Sequence, residues 1–539
     1  MSIPVIDLFA GPGGLGEGFS KVKSTCFEIV VSIEKDAMAY ETLRLRAAHR
    51  ALQRDSSAAA ETWQLWDHVL ETAPWNITFD QLRESGDPAV KRACLVAESE
   101  ALHLELGPDN RESASSEIRA RLTAHSRTDQ LPRNAVLIGG PPCQAYSIVG
   151  RSRNKGTKGY APEADHRHFL YREYLRVIAE FQPAVFVMEN VKGILTSRVK
   201  ERKIFQTIMR DLKHPDVAGA NKPEVEYVLQ ALAETDGLLD APTPDDFIVK
   251  AEDYGVPQAR HRVIILGIRK DVFEKARTVD KLTRAAPPTV WDVIADLPPL
   301  RPQLSYRGKG LTWLDALKLP LFDTAIVELR RTGNPVDAKV AAKLTSVRER
   351  LQQRVSDPGY GADRVRLNSA AKERKPRKLE HWYCDRSTDL LFNHESRAHM
   401  PTDLVRYLFV AAFGEVAKSS ARLMDFPRCL LPNHKNVDPE NLDESIFKDR
   451  FRVQIAGVHS MTVTSHIAKD GHAFIHPTPS QCRSLTVREA ARLQTFPDSY
   501  VFLGNRTSQY TQVGNAVPPL LAEQIAAVVA GILKRAGHA

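Results

Sequence analysis

Cys143 stands in IGGPPCQAYSIVG, residues 138–150, directly after two glycines and two prolines. A cysteine held on a stiff loop can act as a thiolate nucleophile, whereas one packed in an apolar interior is only a small hydrophobe. The stretch alone leaves both readings open. Two more polar groups border apolar runs. Glu189 and Asn190 end the run in PAVFVMENVKGIL (183–195), and Gln258, Arg260 and Arg262 alternate through DYGVPQARHRVIILGIR (253–269). A third group lies near the start, where DLFAGPGG (7–14) is followed by FEIVVSIEKD (27–36), a run closed by Glu34. Glycines let a backbone approach a ligand, and a carboxylate at the next strand's end accepts bonds from ribose hydroxyls. The spacing is neither GxGxxG nor a phosphate-cradling loop with Lys-Ser/Thr.

The elements that must carry these residues follow from local pattern. Apolar Ala135 to Ile138 reads as a strand that the Gly-Gly-Pro-Pro run terminates, so Cys143 is expected at a strand's carboxyl end, where open α/β sheets carry ligands. IPVIDLFAGPGGLGEGF reads as a buried strand, a glycine turn and the start of a helix. From about Ala37 to Arg133 the pattern turns helical, with Trp63 and Trp66, and reads as a helical insert without chemistry of its own. In an extended segment Gln258, Arg260 and Arg262 point the same way, and taken alone they read as a solvated basic face. Beyond Lys270, to about Gln481, regular strand–helix alternation is lost; KERKPRK (372–378) is the densest basic cluster there and reads as a loop. Regularity returns in RSLTVREAARLQTFP (483–497), where Thr486 can cap a helix with Glu489 three residues on. QVGNAVPPLLAEQIAAVVAGIL then predicts a Gly-Asn turn, prolines at a helix start and an apolar closing helix.

Composition sets outer bounds. The chain has 539 residues, 43% hydrophobic and 26% charged, in the range of globular proteins of two or more domains. Its six cysteines include no CxxC pair and no Cys/His cluster at zinc spacing, which predicts reduced thiols, no metal and a cytoplasmic location. The fold begins within a few residues of Met1, and no apolar run is expected to reach the roughly 18 residues that span a membrane. A net charge of +8 and a pI near 9.0 favour a polyanionic partner.

Taken in order, DLFAGPGG, GGPPCQAYS, ENVKG, QARHR, RSLTVREAARLQTFP and QVGNAVPP resemble the motifs of the cytosine carbon-5 DNA methyltransferases that use S-adenosylmethionine, of the bacterial restriction-modification type. The resemblance covers roughly residues 3–270 and 480–530 apart from the helical insert. It implies an α/β fold: a Rossmann-like methyltransferase sheet with helices on both faces and a smaller irregular target-recognition domain. The expected division is 1–271 for the catalytic and cofactor-binding domain with its insert at 37–133, 272–481 for target recognition, and 482–539 for a return segment completing the catalytic domain. By resemblance Cys143 is the attacking thiolate, Glu189 the carboxyl that bonds ring nitrogen 3 and the exocyclic amine, Arg262 the residue that orients the base through its carbonyl oxygen, and Arg260 its partner. Phe9, Gly11, Gly13 and Gly14 match the cofactor loop, and Glu34 matches the ribose carboxylate. By the same resemblance Pro141, Leu170, Asn515 and Val517 are expected to line the rest of the cofactor site. The family's Asp-containing adenine motif has no clear counterpart, because the interval from Glu34 to Cys143 is far longer than usual.

The substrate that the resemblance implies is double-stranded DNA, with the target cytosine flipped out of the stack. RSRNKGTKGY (151–160), with four basic residues, corresponds to the loop that closes over DNA. A functionally paired restriction endonuclease is a further implied partner. A transfer-RNA cytosine methyltransferase shares the catalytic motifs, but the long segment 272–481 favours sequence readout on DNA. Intact Cys143, Glu189 and Arg262 argue against a catalytically silent binding protein on the same fold.

Overall fold

A computed structural model describes residues 2–142, 170–196, 198–199, 202–215, 225–234, 243–305, 310–354, 356–433, 437–438, 440–442 and 450–538. The chain packs as two compact units, Met1–Ala286 with Ala516–Ala539, and Pro287–Asn515.

The first unit is built on one mixed sheet. Its strands are β1 (Ile3–Leu8), β2 (Phe27–Glu34), β3 (Ala101–His103), β4 (Val136–Gly139), β5 (Val185–Val191), β6 (Tyr227–Gln230), β7 (Ile248–Lys250) and β8 (His261–Arg269). They lie in the order β3-β2-β1-β4-β5-β8-β6, with β7 also paired to β8. The strands from β3 to β5 are parallel, and β8 runs antiparallel to β5, β6 and β7. Covered on both faces, the parallel strands need near-continuous apolar sequence, as IPVIDL and VLIG supply. Alternation then sorts side chains between the faces. Ile3, Val5, Val136, Ile138, Val185, Val187 and Ile264 join a core with Leu15, Phe19 and the closing helix Pro519–Arg535. Ile6, Leu8, Leu137, Phe186, Met188 and Val263 join a second core with the helices Arg111–Ser126 and Leu170–Phe181. This is the expected doubly wound sheet with helices on both faces. From β1 the chain steps outward to β2 and β3 on one side and then crosses to β4 on the other, so the switch point lies between β1 and β4, where such sheets hold ligands.

Three expectations need correction. The segment 37–133 is not wholly an insert: β3 pairs with β2 and extends the sheet, and Arg111–Ser126 covers its second face. Three residues are too few to print a strand's alternation in a helix-rich stretch. The Gly-Asn of QVGNAVPP is not a turn but the end of the helix Arg506–Asn515; Pro518 and Pro519 then open the closing helix as expected. Residues 506–535 also include an apolar stretch long enough, by length and composition, to cross a membrane. Most of it is buried inside the fold, so packing in the core accounts for its hydropathy.

The second unit gathers the helices Pro320–Arg331, Pro335–Gln352 and Pro401–Ala417 around an apolar core, beside a two-stranded ribbon of Gly361–Arg366 and Leu390–Glu395. The segment expected to complete the catalytic domain packs here up to Asn515. Polar bonding explains why. Arg488 is fully buried and donates to the carbonyls of Phe392, Pro497 and Tyr500 at 2.9, 2.9 and 2.6 Å. Arg483 pairs with both oxygens of Glu489 at 2.7 Å, and Thr486 and Glu489 form the expected capping box at the start of the helix Val487–Leu493. KERKPRK is a surface loop: its five basic side chains are exposed, while the Arg377 N–H bonds Asp292 O at 2.8 Å.

His394 and His476 lie in this polar interior, and burial pushes them down to about 4 and about 3. Between about pH 6.5 and those values the unfolded chain binds a proton at each site and the folded chain does not, so stability falls as pH falls through that window. For His394 alone the loss is about 3 kcal/mol. The urea midpoint of the full chain is therefore expected to decline from about pH 6.5 downward, with a shallower slope in His394→Gln. A slope that the substitution leaves unchanged would mean that His394 is already protonated in the folded unit.

Candidate active site

The glycine loop leaves β1 in an unusual conformation. Phe9, Gly11 and Gly13 all have positive φ, 55°, 58° and 95°, and Gly13 caps the helix Gly14–Ser20. A left-handed Phe is uncommon and concentrates at functional sites. The space in front of Gly11 is open: a Cβ built there would meet nothing within 4 Å. The loop is tied to the end of β2 through Glu34, whose Oε2 accepts from Gly11 N at 2.8 Å and whose Oε1 accepts from Asp36 N at 2.8 Å. Burial raises the Glu34 carboxyl, and the N–H groups of Asp36, Gly11 and Lys35 oppose that rise. Asp36 in turn caps the helix Ala37–Arg54 by accepting from Met38 N and Ala39 N. The open space in front of the loop and the carboxylate beside it leave room for a ligand with hydroxyl groups to bond.

The second polar group stands at the end of β5, with β4 between it and the glycine loop. Glu189 Oε1 lies 2.9 Å from Arg262 Nε, and both side chains keep slight solvent access, 12% and 14%. Register explains the pairing. Ile264 stands opposite Glu189 across β5 and β8, and Arg262, two residues away, emerges on the same face. Arg262 Nη1 also donates to His261 O at 2.8 Å. Arg260 is 2% exposed, so the expected solvated basic face is corrected: Gln258 and Arg260 point inward. Burial pushes the Arg260 guanidinium down, with Arg262 adding to that and Glu189 opposing it.

The loop that carries Cys143 leaves β4 directly beside this pair. A Cβ at Gly140 would lie 3.0 Å from Glu189 Oε2, and Asn190 Nδ2 donates to Pro141 O at 3.3 Å. Asn190 thereby ties the backbone just after β4; its place at the strand end was visible in sequence, but this bond was not. Cys143 itself and RSRNKGTKGY lie outside the described residues. Burial pushes the thiols of Cys94, Cys429 and Cys482 up to about 12.

The other expected cofactor residues are spread more widely. Pro141 is buried at the β4 end, and Leu170 is buried at the start of its helix, which Tyr174 ties to β5 through a 2.9 Å bond to Val187 O. Val517 is buried against the glycine loop: a Cβ at Gly14 would come within 2.2 Å of Val517 O. One turn on, a Cβ at Gly18 would meet Pro519 O, Ala522 Cβ and Glu523 N at 2.4–2.5 Å. Asn515 is exposed at the end of its helix in the second unit.

A family model described as C-5 cytosine-specific DNA methylase matches residues 110–217 and 244–530. The type II methyltransferase M.Bpa9945I of Bacillus paralicheniformis is 33% identical over 540 residues, 99% of this chain and 99% of that protein. The type II methyltransferase M.DdeI of Desulfomicrobium norvegicum is 25% identical over 398 residues, 72% of this chain and 71% of that one. The DNA (cytosine-5-)-methyltransferase M.ApeKI of Aeropyrum pernix is 26% identical over 427 residues, covering 74% and 81%.

The glycine contacts generate a stability prediction. Gly18→Ala forces a methyl group into backbone as well as side-chain atoms and is expected to cost about 1–3 kcal/mol or more by overpacking. Gly14→Ala is expected to do the same and also to displace the glycine loop. Gly107→Ala is the control, since a Cβ there meets nothing within 4 Å. Urea unfolding of the three variants checks this; a neutral Gly18→Ala would show that the two helices are free to part.

Proposed function

The chain belongs to the C-5 cytosine-specific DNA methylase family and is a DNA (cytosine-5-)-methyltransferase, and from that premise we propose that it methylates a cytosine flipped out of a specific duplex sequence, using S-adenosylmethionine and a transient covalent bond to Cys143. The observation that carries this reading is the Glu189–Arg262 pair at the foot of the loop that bears Cys143, one strand from the glycine loop.

Carbon 5 of cytosine is a poor nucleophile because the ring is electron-poor. The Cys143 thiolate adds to carbon 6, its electron pair forming the C–S bond while the ring's 5,6 π pair becomes available at carbon 5. A protonated Glu189 donates to ring nitrogen 3 and accepts from the exocyclic amine, offsetting the charge that builds as sulfur adds. Arg262, anchored on Glu189 and on the His261 carbonyl, directs the base through its carbonyl oxygen. Buried Arg260 backs this pair from the interior. Carbon 5 then gains a methyl group, a base takes its proton, and the C–H pair re-forms the double bond as the thiolate leaves. S-adenosylmethionine, when bound, supplies the electrophilic methyl group. Phe9, Gly11, Gly13 and Gly14 would hold it along the loop and Glu34 at the ribose, with Pro141, Leu170, Asn515 and Val517 around the remainder. Leu104 and Glu105, which follow β3, stand next to Glu34, since Leu104 N bonds Glu34 O at 3.0 Å, and are our candidates for the adenine side.

The second unit supplies target readout in this scheme, mainly through residues 287–481, with KERKPRK on phosphates; the expected start at 272 is too early, because Val272, Ala276 and Leu282 pack in the core of the first unit. The protein would act in the cytoplasm, opposite a restriction endonuclease of the same specificity.

Fluorine at carbon 5 tests the covalent route. It cannot leave as a cation, so the cycle should stop after methyl transfer. A duplex carrying 5-fluorocytosine at the target is expected to give a denaturation-stable adduct that needs S-adenosylmethionine and is absent in Cys143→Ser. Glu189→Gln should lower turnover on the ordinary duplex by about 10²–10⁴-fold. Methylation of the ordinary duplex with no adduct on the fluorinated one would overturn the covalent mechanism, and an active Cys143→Ser would overturn the nucleophile.

A further inference from the structure

The helix Ala37–Arg54 takes no part in the chemistry above, yet it carries the cationic half of a buried ion pair aimed at the glycine loop. Glu17 lies on the helix Gly14–Ser20, one turn past Gly13, and is completely buried. Arg46 grips it with both arms of the guanidinium, Nε to Oε2 at 2.8 Å and Nη2 to Oε1 at 2.5 Å. Arg50 Nη1 stands 3.6 Å from Glu17 Oε2, and Lys21 Nζ 3.7 Å from Oε1. Although burial would raise the Glu17 carboxyl, these cations bring it down to about 2. Arg50 also bonds Glu100, whose carboxylate accepts from Ser32 Oγ of β2 at 3.5 Å. A continuous polar network therefore joins the loop's helix, the helix Ala37–Arg54 and β2.

Two features make this more than an internal brace. A bidentate fork fixes both the separation and the rotation of the helices it joins, whereas apolar packing constrains these less sharply. Two of the three N–H groups that hold the Glu34 carboxylate come from the approaches to those same helices: Gly11 N from the loop that leads into Gly14–Ser20, and Asp36 N from the cap of Ala37–Arg54. A change in the relation of the two helices must therefore turn or release Glu34.

We propose that the Glu17–Arg46 pair is a positioning device for the cofactor site, setting the distance between the Gly11 and Asp36 N–H groups and thereby the orientation of the Glu34 carboxylate. Arg46 and Glu17 touch no substrate in this scheme; they act through Glu34. The inference rests on the reading of Glu34 as the ribose-binding carboxylate. It also assigns a role to the first part of the segment 37–133, which pattern alone marks as decoration.

The test uses the full chain and S-adenosylmethionine alone, measured by calorimetry, so that it does not depend on turnover. Removing one charge strands the other in the interior, so the informative variant is the double Glu17→Met/Arg46→Met, because an apolar pair commonly replaces a buried ion pair without loss of stability. The double variant is expected to unfold near the wild-type midpoint, to bind S-adenosylmethionine about tenfold or more weakly, and to keep kcat at saturating cofactor within about threefold. Combined with Glu34→Gln, its loss should be much less than the product of the separate losses, since both act on one carboxylate. A folded double variant with wild-type affinity, or losses that multiply in full with Glu34→Gln, would overturn the proposal. If the double variant fails to fold, Arg46→Lys keeps the charge without the fork; weakened cofactor binding is then expected, and wild-type affinity overturns the proposal. Failure of the wild-type protein itself to bind S-adenosylmethionine, or an undiminished affinity in Glu34→Gln, would instead count against the reading of the cofactor site.

Discussion

A side chain at Gly14 or Gly18 would occupy the space that holds the backbone of residues 517–523, and the first unit depends on that space staying free. The two glycines are one helical turn apart, so they clear a single face of the helix Gly14–Ser20. On that face the closing helix Pro519–Arg535 settles close enough to bring Val517 against the glycine loop. The first and last parts of the chain thus build one wall of the candidate cofactor site. The loop itself then needs its left-handed residues, because the strand must turn into a helix whose position is already set by the contact.

Three buried or half-buried Glu–Arg pairs show how access decides what the same chemistry does. Glu17–Arg46 and Arg483–Glu489 are sealed from water, so each fork is spent on fixing local geometry. Glu189–Arg262 has similar spacing but keeps solvent access at a strand end. That access is what the proposed mechanism requires of this pair, because only groups that a ligand can reach can bond it. Arg260 is buried beside the same pair, and burial and Arg262 both depress its guanidinium while Glu189 opposes that.

Much of the site was legible because its signals are local. The IPVIDL run, the glycines after it, Glu34 at the end of the next apolar run, and Glu189 at the end of VFVMEN all act within a few residues, where strand period and turn chemistry are decisive. The capping box of Thr486 and Glu489 was legible for the same reason. β3 was not, since a three-residue strand between helices carries too little alternation and forms only because β2 offers it an edge. The end of the helix Arg506–Asn515 was misread because Gly-Asn usually signals a turn. Here Gly514 continues the helix and lies hard against Thr464 and Ser465, a contact that a side chain would block.

What the sequence determined by itself is the set of chemical groups and the elements that end in them: a thiol after Gly-Gly-Pro-Pro, a carboxyl and two arginines on apolar strands, a glycine loop with its acidic partner. Tertiary structure alone decided which of these meet. Arg262 pairs with Glu189 because antiparallel register puts Ile264 opposite that carboxyl and leaves Arg262 two residues away on the same face. Arg46 reaches Glu17, although β2 separates their helices in the chain, because the folded sheet brings the two side chains together. Periodicity and turn chemistry are properties of neighbouring residues. The pairing of distant charges depends on strand register and helix packing, which exist only once the sheet has formed and its faces are covered.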